Sequence, residues 1–201
     1  MLPIKSKYKI AKRLGAAVFE QTQTQKFALV EARKKEKRGR GRGGSDYGRQ
    51  MLEKQRVRFT YGLSEKQLSN YAQEAFTKKD PSNELHLSLE MRADSILYRS
   101  GFAPTRRAAR QAISHGHFKV NGTRITRPSY RLKKGDKLEV RDGVKTSILY
   151  AGLAEREDKR AAPQWLSADA TLVSIEVAGE PKYNVIDAGL DYPTVFEFYS
   201  R

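Results

Sequence analysis

The chain has 201 residues, 38% hydrophobic and 31% charged, with 39 lysines and arginines against 23 acidic residues for a net charge of +16. That length allows two modest domains or one large one, with small cores, and the apolar share stands above that of a disordered chain. No cysteine is present, which excludes disulfides and thiolate zinc sites and fits a reducing compartment, and no run approaches the ~18 apolar residues of a membrane span.

Such a positive excess is costly in self-repulsion unless a polyanion neutralises it. Nucleic acid is the expected polyanion, with an acidic membrane surface as the weaker alternative. The charge is unevenly laid out: +12 over residues 1–58, −1 over 59–89, +9 over 90–141 and −4 over 142–201. That alternation predicts two separate anion-facing surfaces rather than an evenly solvated basic exterior. The N-terminus lacks the apolar core of a secretory signal. "KIAKRLGAAVF" is basic and weakly amphipathic, which keeps an organellar presequence open.

In chain order, "KSKYKIAKRL" at 5–14 predicts a short basic helix stopped by Gly15, with Lys12 and Arg13 as candidate phosphate contacts. "RKKEKRGRGRGG" at 33–44 is a glycine-broken basic run without apolar periodicity; it predicts a loop that offers Arg38, Arg40 and Arg42 to RNA. "GRGG" has the shape of a KH-domain loop but lacks the flanking apolar strand and helix. "SDYGRQMLEKQRVRFTYG" predicts a helix capped by Ser45 or Asp46 and stopped at Gly62. Arg49, Glu53 and Arg56 share one of its faces, with Lys54 and Arg58 beside them. "SEKQLSNYAQEAF" opens with a capping box, Ser64 with Gln67, followed by an apolar stripe through Leu68, Tyr71, Ala72 and Ala75. "DPSN" at 80–83 predicts a break and a domain edge. From about Leu85 to Ser100 one apolar helix is expected, stopped by Gly101.

Thr105 then caps a helix carrying Arg106 to Ser114. Ala109, Ala112 and Ile113 fall on one side of it; Arg106, Arg110 and Ser114 fall together on another, with Arg107 and Gln111 in a parallel row. The arginine side is expected to present guanidinium forks to phosphate oxygens. "FKVNGTRI" predicts a hairpin around an Asn-Gly type I′ turn. His115, His117, Lys119, Asn121 and Arg124 would extend the basic surface from the helix end into the hairpin. "KKGDKLEV" predicts a turn and a strand. After an acidic link at 155–160, "ATLVSIEV" and the terminal "TVFEFYS" alternate as strands do. His115 and His117 could in principle bind a metal or act in acid–base catalysis. His86 is the only other histidine, however, and no carboxylate lies close in sequence to orient either ring. A merely solvated basic helix is the bland alternative to an RNA grip.

These residues carry a resemblance. "RRAARQAISHGHFKVNGTRITRPSY" followed by "LKKGD" resembles the small RNA-binding module named after ribosomal protein number four of the small subunit, whose two helices and hairpin form the RNA face. "GSDYGRQMLEKQRVRFTYGLSEKQLSNY" resembles that family's helical domain, and "LEMRADSILYRSGFA" the stretch that enters the module. "PQWL" at 163–166 and the terminal "FEFYSR" resemble its C-terminal part. The matching segments keep the family's order over most of residues 5–201, of bacterial or organellar type. Many members bind zinc through N-terminal cysteines; this chain lacks them, so no metal or cofactor is expected. Ala93 stands where many members have leucine, a smaller core residue.

The resemblance implies an α+β fold. A basic N-terminal arm (1–45) and a helical domain (46–89) precede an RNA-binding module elaborated by antiparallel C-terminal strands (90–201), whose last residues could pack back on the helical domain. It adds Tyr130, Arg131, Lys133 and Lys134 to the RNA-contacting set. It implies a non-catalytic structural part of the small ribosomal subunit that binds its ribosomal RNA early in assembly. Neighbouring ribosomal proteins, and messenger RNA near the entry site, would be further partners, in the cytoplasm or, as the lesser alternative, an organellar matrix or stroma. Two rivals use the same module. Pseudouridine synthases carry a catalytic aspartate in a signature that "MRADSILYRSG" resembles at Asp94, but Leu97 replaces its threonine, and too little chain remains for a catalytic domain. Arg92 and Asp94 are therefore expected to form a structural ion pair. A stand-alone RNA-binding regulatory or stress protein would carry little beyond the module.

Overall fold

In a computed structural model the chain is described over residues 4, 6–37, 45–145, 147, 150, 161–169, 171 and 173–200. The glycine-broken stretch 38–44 and the acidic link at 155–160 lie outside these residues. The fold is α+β, with most helices first, an antiparallel sheet after them and helices again at 185–188 and 192–199, in two compact units.

One unit draws on residues 1–85 and 183–201. Its helices are α1 (Lys7–Leu14), α2 (Gln25–Lys37), α3 (Asp46–Thr60), α4 (Glu65–Phe76), the first half of α5 (Pro81–Glu90), α8 (Val185–Ala188) and α9 (Tyr192–Tyr199). Local chemistry sets their ends. The Ser45 hydroxyl accepts from the Gly48 amide at 3.2 Å, and Ser64 and Gln67 close a reciprocal capping box at 3.2 and 3.0 Å. Ala11, Leu14, Val18, Phe19 and Phe27 bury one small cluster. α9 packs against α3 and α4.

Three expectations change here. "RKKEK" at 33–37 continues a helix instead of opening a loop. The break expected at "DPSN" falls at 77–80, and from Pro81 the same stretch starts α5, because the Asp80 carboxylate caps the Asn83 amide at 3.1 Å and Pro81 takes the first helical position. The terminal "TVFEFYS" is helical, not a strand. Asp191 accepts from the Thr194 amide at 3.2 Å, and Tyr192, Val195 and Phe196 are buried at i, i+3 and i+4.

The other unit is residues 86–182. It holds α6 (Ala93–Arg99), α7 (Arg106–Ser114) and five strands: β1 (Phe118–Val120), β2 (Thr123–Arg124), β3 (Lys137–Val140), β4 (Leu166–Asp169) and β5 (Ser174–Val177). All pairs are antiparallel, in the order β2-β1-β3-β5-β4. Ile96, Leu97, Ala109 and Ile113 from the helices meet Phe118, Leu138, Val140, Ile175 and Val177 from the sheet in one core. The expected single helix from Leu85 to Ser100 is two. Arg92 is extended (φ −70°, ψ 142°). The amides of Ala93 and Asp94 donate to Tyr130 and Pro128 carbonyls at 2.8 and 3.2 Å, and Leu132 donates to Met91 at 2.9 Å. Backbone pairing with 128–132 takes the hydrogen bonds that a continuous helix would need.

Candidate nucleic-acid interface

α7 begins where the Thr105 hydroxyl accepts from the Ala108 amide at 3.0 Å. Ala109 and Ile113 are fully buried, and Arg107, Gln111 and Ser114 form an exposed row at i, i+4 and i+7. The helix ends at His115 and Gly116, the latter at φ 70°. The Arg124 guanidinium lies across Gly116, where any side chain would strike it, and donates to the His115 carbonyl at 3.3 Å. β2 is thereby fastened to the end of α7. At the hairpin tip Asn121 (φ 49°) and Gly122 (φ 82°) make the type I′ turn.

The exposed Asn121 side chain makes intramolecular hydrogen bonds. It donates to Asp136 at 2.8 Å and accepts from the Lys137 amide at 2.9 Å. Asp136 also accepts from the Lys133 amide at 2.7 Å. This clip engages the Asn121 side chain, expected as an RNA contact, and it holds exposed Lys133 and Lys134 beside the hairpin tip. Lys119 is half-buried between Asp142 at 3.3 Å and Glu139 at 3.7 Å. Tyr130 and Arg131 are exposed.

The larger correction concerns Arg106 and Arg110, expected as solvent-facing forks. Arg106 is buried, 3.3 Å from Glu90 and with its guanidinium 4.4 Å above the Tyr98 ring. Arg110 donates to Asp94 at 2.6 Å. Arg99 grips Glu90 through two 2.8 Å bonds, and Arg92 grips Asp94 at 2.9 and 2.7 Å. Two buried carboxylates thus gather four guanidiniums; ionised acids in a core require such partners. Asp94 is 2% exposed and clamped from two sides, which suits a structural ion pair and not a nucleophile.

The same correction applies to α3. Lys54 is buried, 2.7 Å from Glu65 and 4.1 Å above the Phe198 ring. Arg56 donates to the Leu14 carbonyl at 2.9 Å and pairs with Glu53 at 2.7 Å. Arg58 donates to the Leu63 carbonyl at 3.3 Å. These side chains fasten α1 and the α3–α4 turn. Arg49 stays exposed, paired only weakly with Asp46 at 3.3 Å. Lys12 and Arg13 are exposed on α1, and Arg13, Arg49 and Arg56 line one cleft with Glu53. Arg38, Arg40 and Arg42 lie outside the described residues.

His115 is exposed. The Nδ1 of His117 lies 2.9 Å from the Tyr150 hydroxyl. Burial, then His115 and Arg141, hold the His117 imidazole below its ordinary 6.5, and burial pushes the Tyr150 hydroxyl up to about 12. Among the described residues, no three His, Asp or Glu side chains gather as a metal cluster, and no helix is long and apolar enough to cross a membrane. Sequence reasoning passes over exposed Arg127 and Arg141, whose only signal is their place in the +9 block. It also passes over Tyr150, which no local motif marks.

His86, buried on α5, gives a pH dependence. Burial, with Glu90 opposing and Arg99 and Arg106 assisting, holds its imidazole below 6.5. The unfolded ring protonates as pH drops past 6.5, while the folded ring resists until lower pH. The stability present above 6.5 is therefore lost as pH falls through the lowered folded value. Melting temperature, followed from about pH 7.5 to about pH 5, should fall, and His86→Gln should flatten part of that slope. An identical slope in the variant counts against the assignment.

A basic helix row, a clipped hairpin and a lysine turn define a two-helix-and-hairpin module of the nucleic-acid-binding class. Residues 91–138 match the family model of the S4 domain, and residues 4–91 match that of the ribosomal protein S4/S9 N-terminal domain. The small ribosomal subunit protein uS4 of Lachnospira eligens is 41% identical over 162 residues, covering 80% of this chain and 82% of its own. That of Borrelia hermsii is 33% identical over 201 residues, covering 98% and 96%. That of Mycobacterium avium is 40% identical over 158 residues, covering 78% and 79%. The chain belongs to the uS4 family of small ribosomal subunit proteins.

Proposed function

We propose that this protein is a structural, non-catalytic component of the small ribosomal subunit, binding small-subunit ribosomal RNA directly and nucleating assembly of the subunit body in the cytoplasm. One observation carries the reading beyond family membership. On the module, Glu90 and Asp94 face inward onto paired arginines, while Arg107, Arg124, Arg127, Lys133, Lys134 and Arg141 stay exposed. A surface sorted in this way suits a phosphate backbone. Arginine and lysine neutralise phosphates and release counterions, and recognition of folded RNA rests on shape and backbone position. The exposed Lys12, Arg13 and Arg49 form a second basic set, matching the +12 block. Neighbouring ribosomal proteins, and messenger RNA near the entry site, complete the proposed partners.

Binding of the purified chain to small-subunit ribosomal RNA should weaken steeply with salt. Each phosphate contact contributes roughly 0.7 to 0.9 to the log–log slope. A titration from low to moderate ionic strength that leaves the binding constant unchanged would rule out this mechanism.

A further inference from the structure

We propose that the cleft between α6, α7 and the start of β1, floored by Leu97, Phe102, Ala108 and Ala112 and rimmed by Gln111 and His117, holds a single unstacked nucleobase of the bound RNA. This deepens the ribosomal-RNA reading above and rests on it.

The cleft has a volume of about 250 Å³. That is far above the ~10–15 Å³ a lone water occupies and below the ~300–1,000 Å³ of sites for drug-sized ligands. One planar heterocycle matches it. The floor is apolar because Leu97 and Phe102 are buried from the core side. The opening exists because residues 108 and 112, one helical turn apart, are alanines; larger side chains there would fill it.

The rim supplies edge recognition. The exposed Gln111 carboxamide can donate and accept at once, as a base edge requires. His117 is oriented by Tyr150, whose ring stands at 81° to it. Burial, then His115 and Arg141, hold the His117 imidazole below 6.5, which favours the neutral form. When the phenol donates to Nδ1, Nε2–H is left as a donor. Charge selects the occupant. Arg107 precedes Gln111 by one turn of α7 and is exposed, within the +9 block. A base carried on a phosphate chain fits such a rim better than an uncharged apolar molecule. Unpaired bases splayed from RNA are commonly taken up in this way, by stacking and edge hydrogen bonds.

The test uses the full chain and nuclear magnetic resonance. Adenosine, guanosine, cytidine and uridine 5′-monophosphates are titrated separately, with inorganic phosphate as the probe of charge alone. At least one nucleotide should shift the Ala108 and Ala112 methyl signals and the His117 ring signals; phosphate should leave them in place. Ala112→Leu, which fills the cleft, should abolish those shifts. It should also lower ribosomal-RNA affinity by about five- to a hundredfold, the range of one stacked base, without changing the salt slope, since no phosphate contact is lost. Gln111→Ala, at an exposed position, should weaken the nucleotide shifts while leaving the melting temperature unchanged, which guards against a folding defect in the first variant. Absence of cleft shifts with all four nucleotides, or shifts equally produced by phosphate, overturns the proposal. So does an Ala112→Leu protein that binds RNA as tightly as the wild type. A wild-type chain that shows the nucleotide shifts but does not bind ribosomal RNA would sink the ribosomal reading and leave the base site standing.

Discussion

Asp94→Ala should destabilise the 86–182 unit by about 3–5 kcal/mol, the usual cost of removing one partner from a buried ion pair. Asp94 accepts from Arg92 at 2.9 and 2.7 Å and from Arg110 at 2.6 Å. The Arg92 side chain is 3% exposed, so alanine leaves a guanidinium in the interior without its carboxylate. The loss would consume a large part of the ~5–15 kcal/mol that holds a typical domain together. Asp94→Asn keeps the shape and one oxygen acceptor but removes the charge, and should fall between alanine and the wild type. Denaturant unfolding is the measurement: the midpoint should drop with little change in m-value, because the surface exposed on unfolding is nearly the same. An Asp94→Ala midpoint equal to that of the wild type would show that the carboxylate network is ornamental.

That network marks the limit of what the sequence discloses. The Arg92–Asp94 pair was legible because its members are two residues apart, and so were the Ser64–Gln67 box, the Thr105 cap and the Asn-Gly turn, all set within three residues. The period of α7 likewise tells that Ala109 and Ile113 go inside. It cannot tell what meets the flank of the helix. Glu90 reaches Arg106 and Asp94 reaches Arg110, each from sixteen residues upstream. Two carboxylates four residues apart meet two arginines four residues apart, and the apparent phosphate forks become internal partners. Lys54 is drawn in by Phe198 and Glu65 in the same manner. The break between α5 and α6 was hidden for a related reason: its hydrogen-bond partners, Pro128 and Tyr130, lie beyond the hairpin. In "TVFEFYS" the spacing of Phe196 and Phe198 imitates a strand, while the Asp191 cap and the triplet Tyr192, Val195 and Phe196 decide for a helix. Charge in a sequence thus locates a basic region well. It does not say which cations face solvent until the acids that fold against them are placed.

The proposed interface yields the second large effect. Changing Arg107, Arg127, Lys133 and Lys134 together to Ala should cost about 10²–10³-fold in affinity for small-subunit ribosomal RNA, with the fold intact. All four are exposed. The Lys133 contact with Asp136 runs through its backbone amide, which alanine keeps. Exposed substitutions of this kind typically move stability by no more than about 0.5 kcal/mol each. A charge-assisted contact to phosphate is worth roughly 1.5–3 kcal/mol unscreened, but exposed groups retain about 1 kcal/mol or less. Four contacts at that discounted value give the stated range. The salt slope should shrink by about 3, at roughly 0.7–0.9 for each contact. Arg106→Ala with Arg110→Ala serves as the contrast. Those side chains bind Glu90 and Asp94, so their removal should lower the melting temperature, and any RNA defect should track the loss of folded protein. Melting curves and RNA titrations across salt, run on both variants, separate the two roles. If the surface quadruple melts early, or the Arg106 and Arg110 pair loses RNA binding while melting as the wild type does, then the division of these arginines between core and interface is wrong.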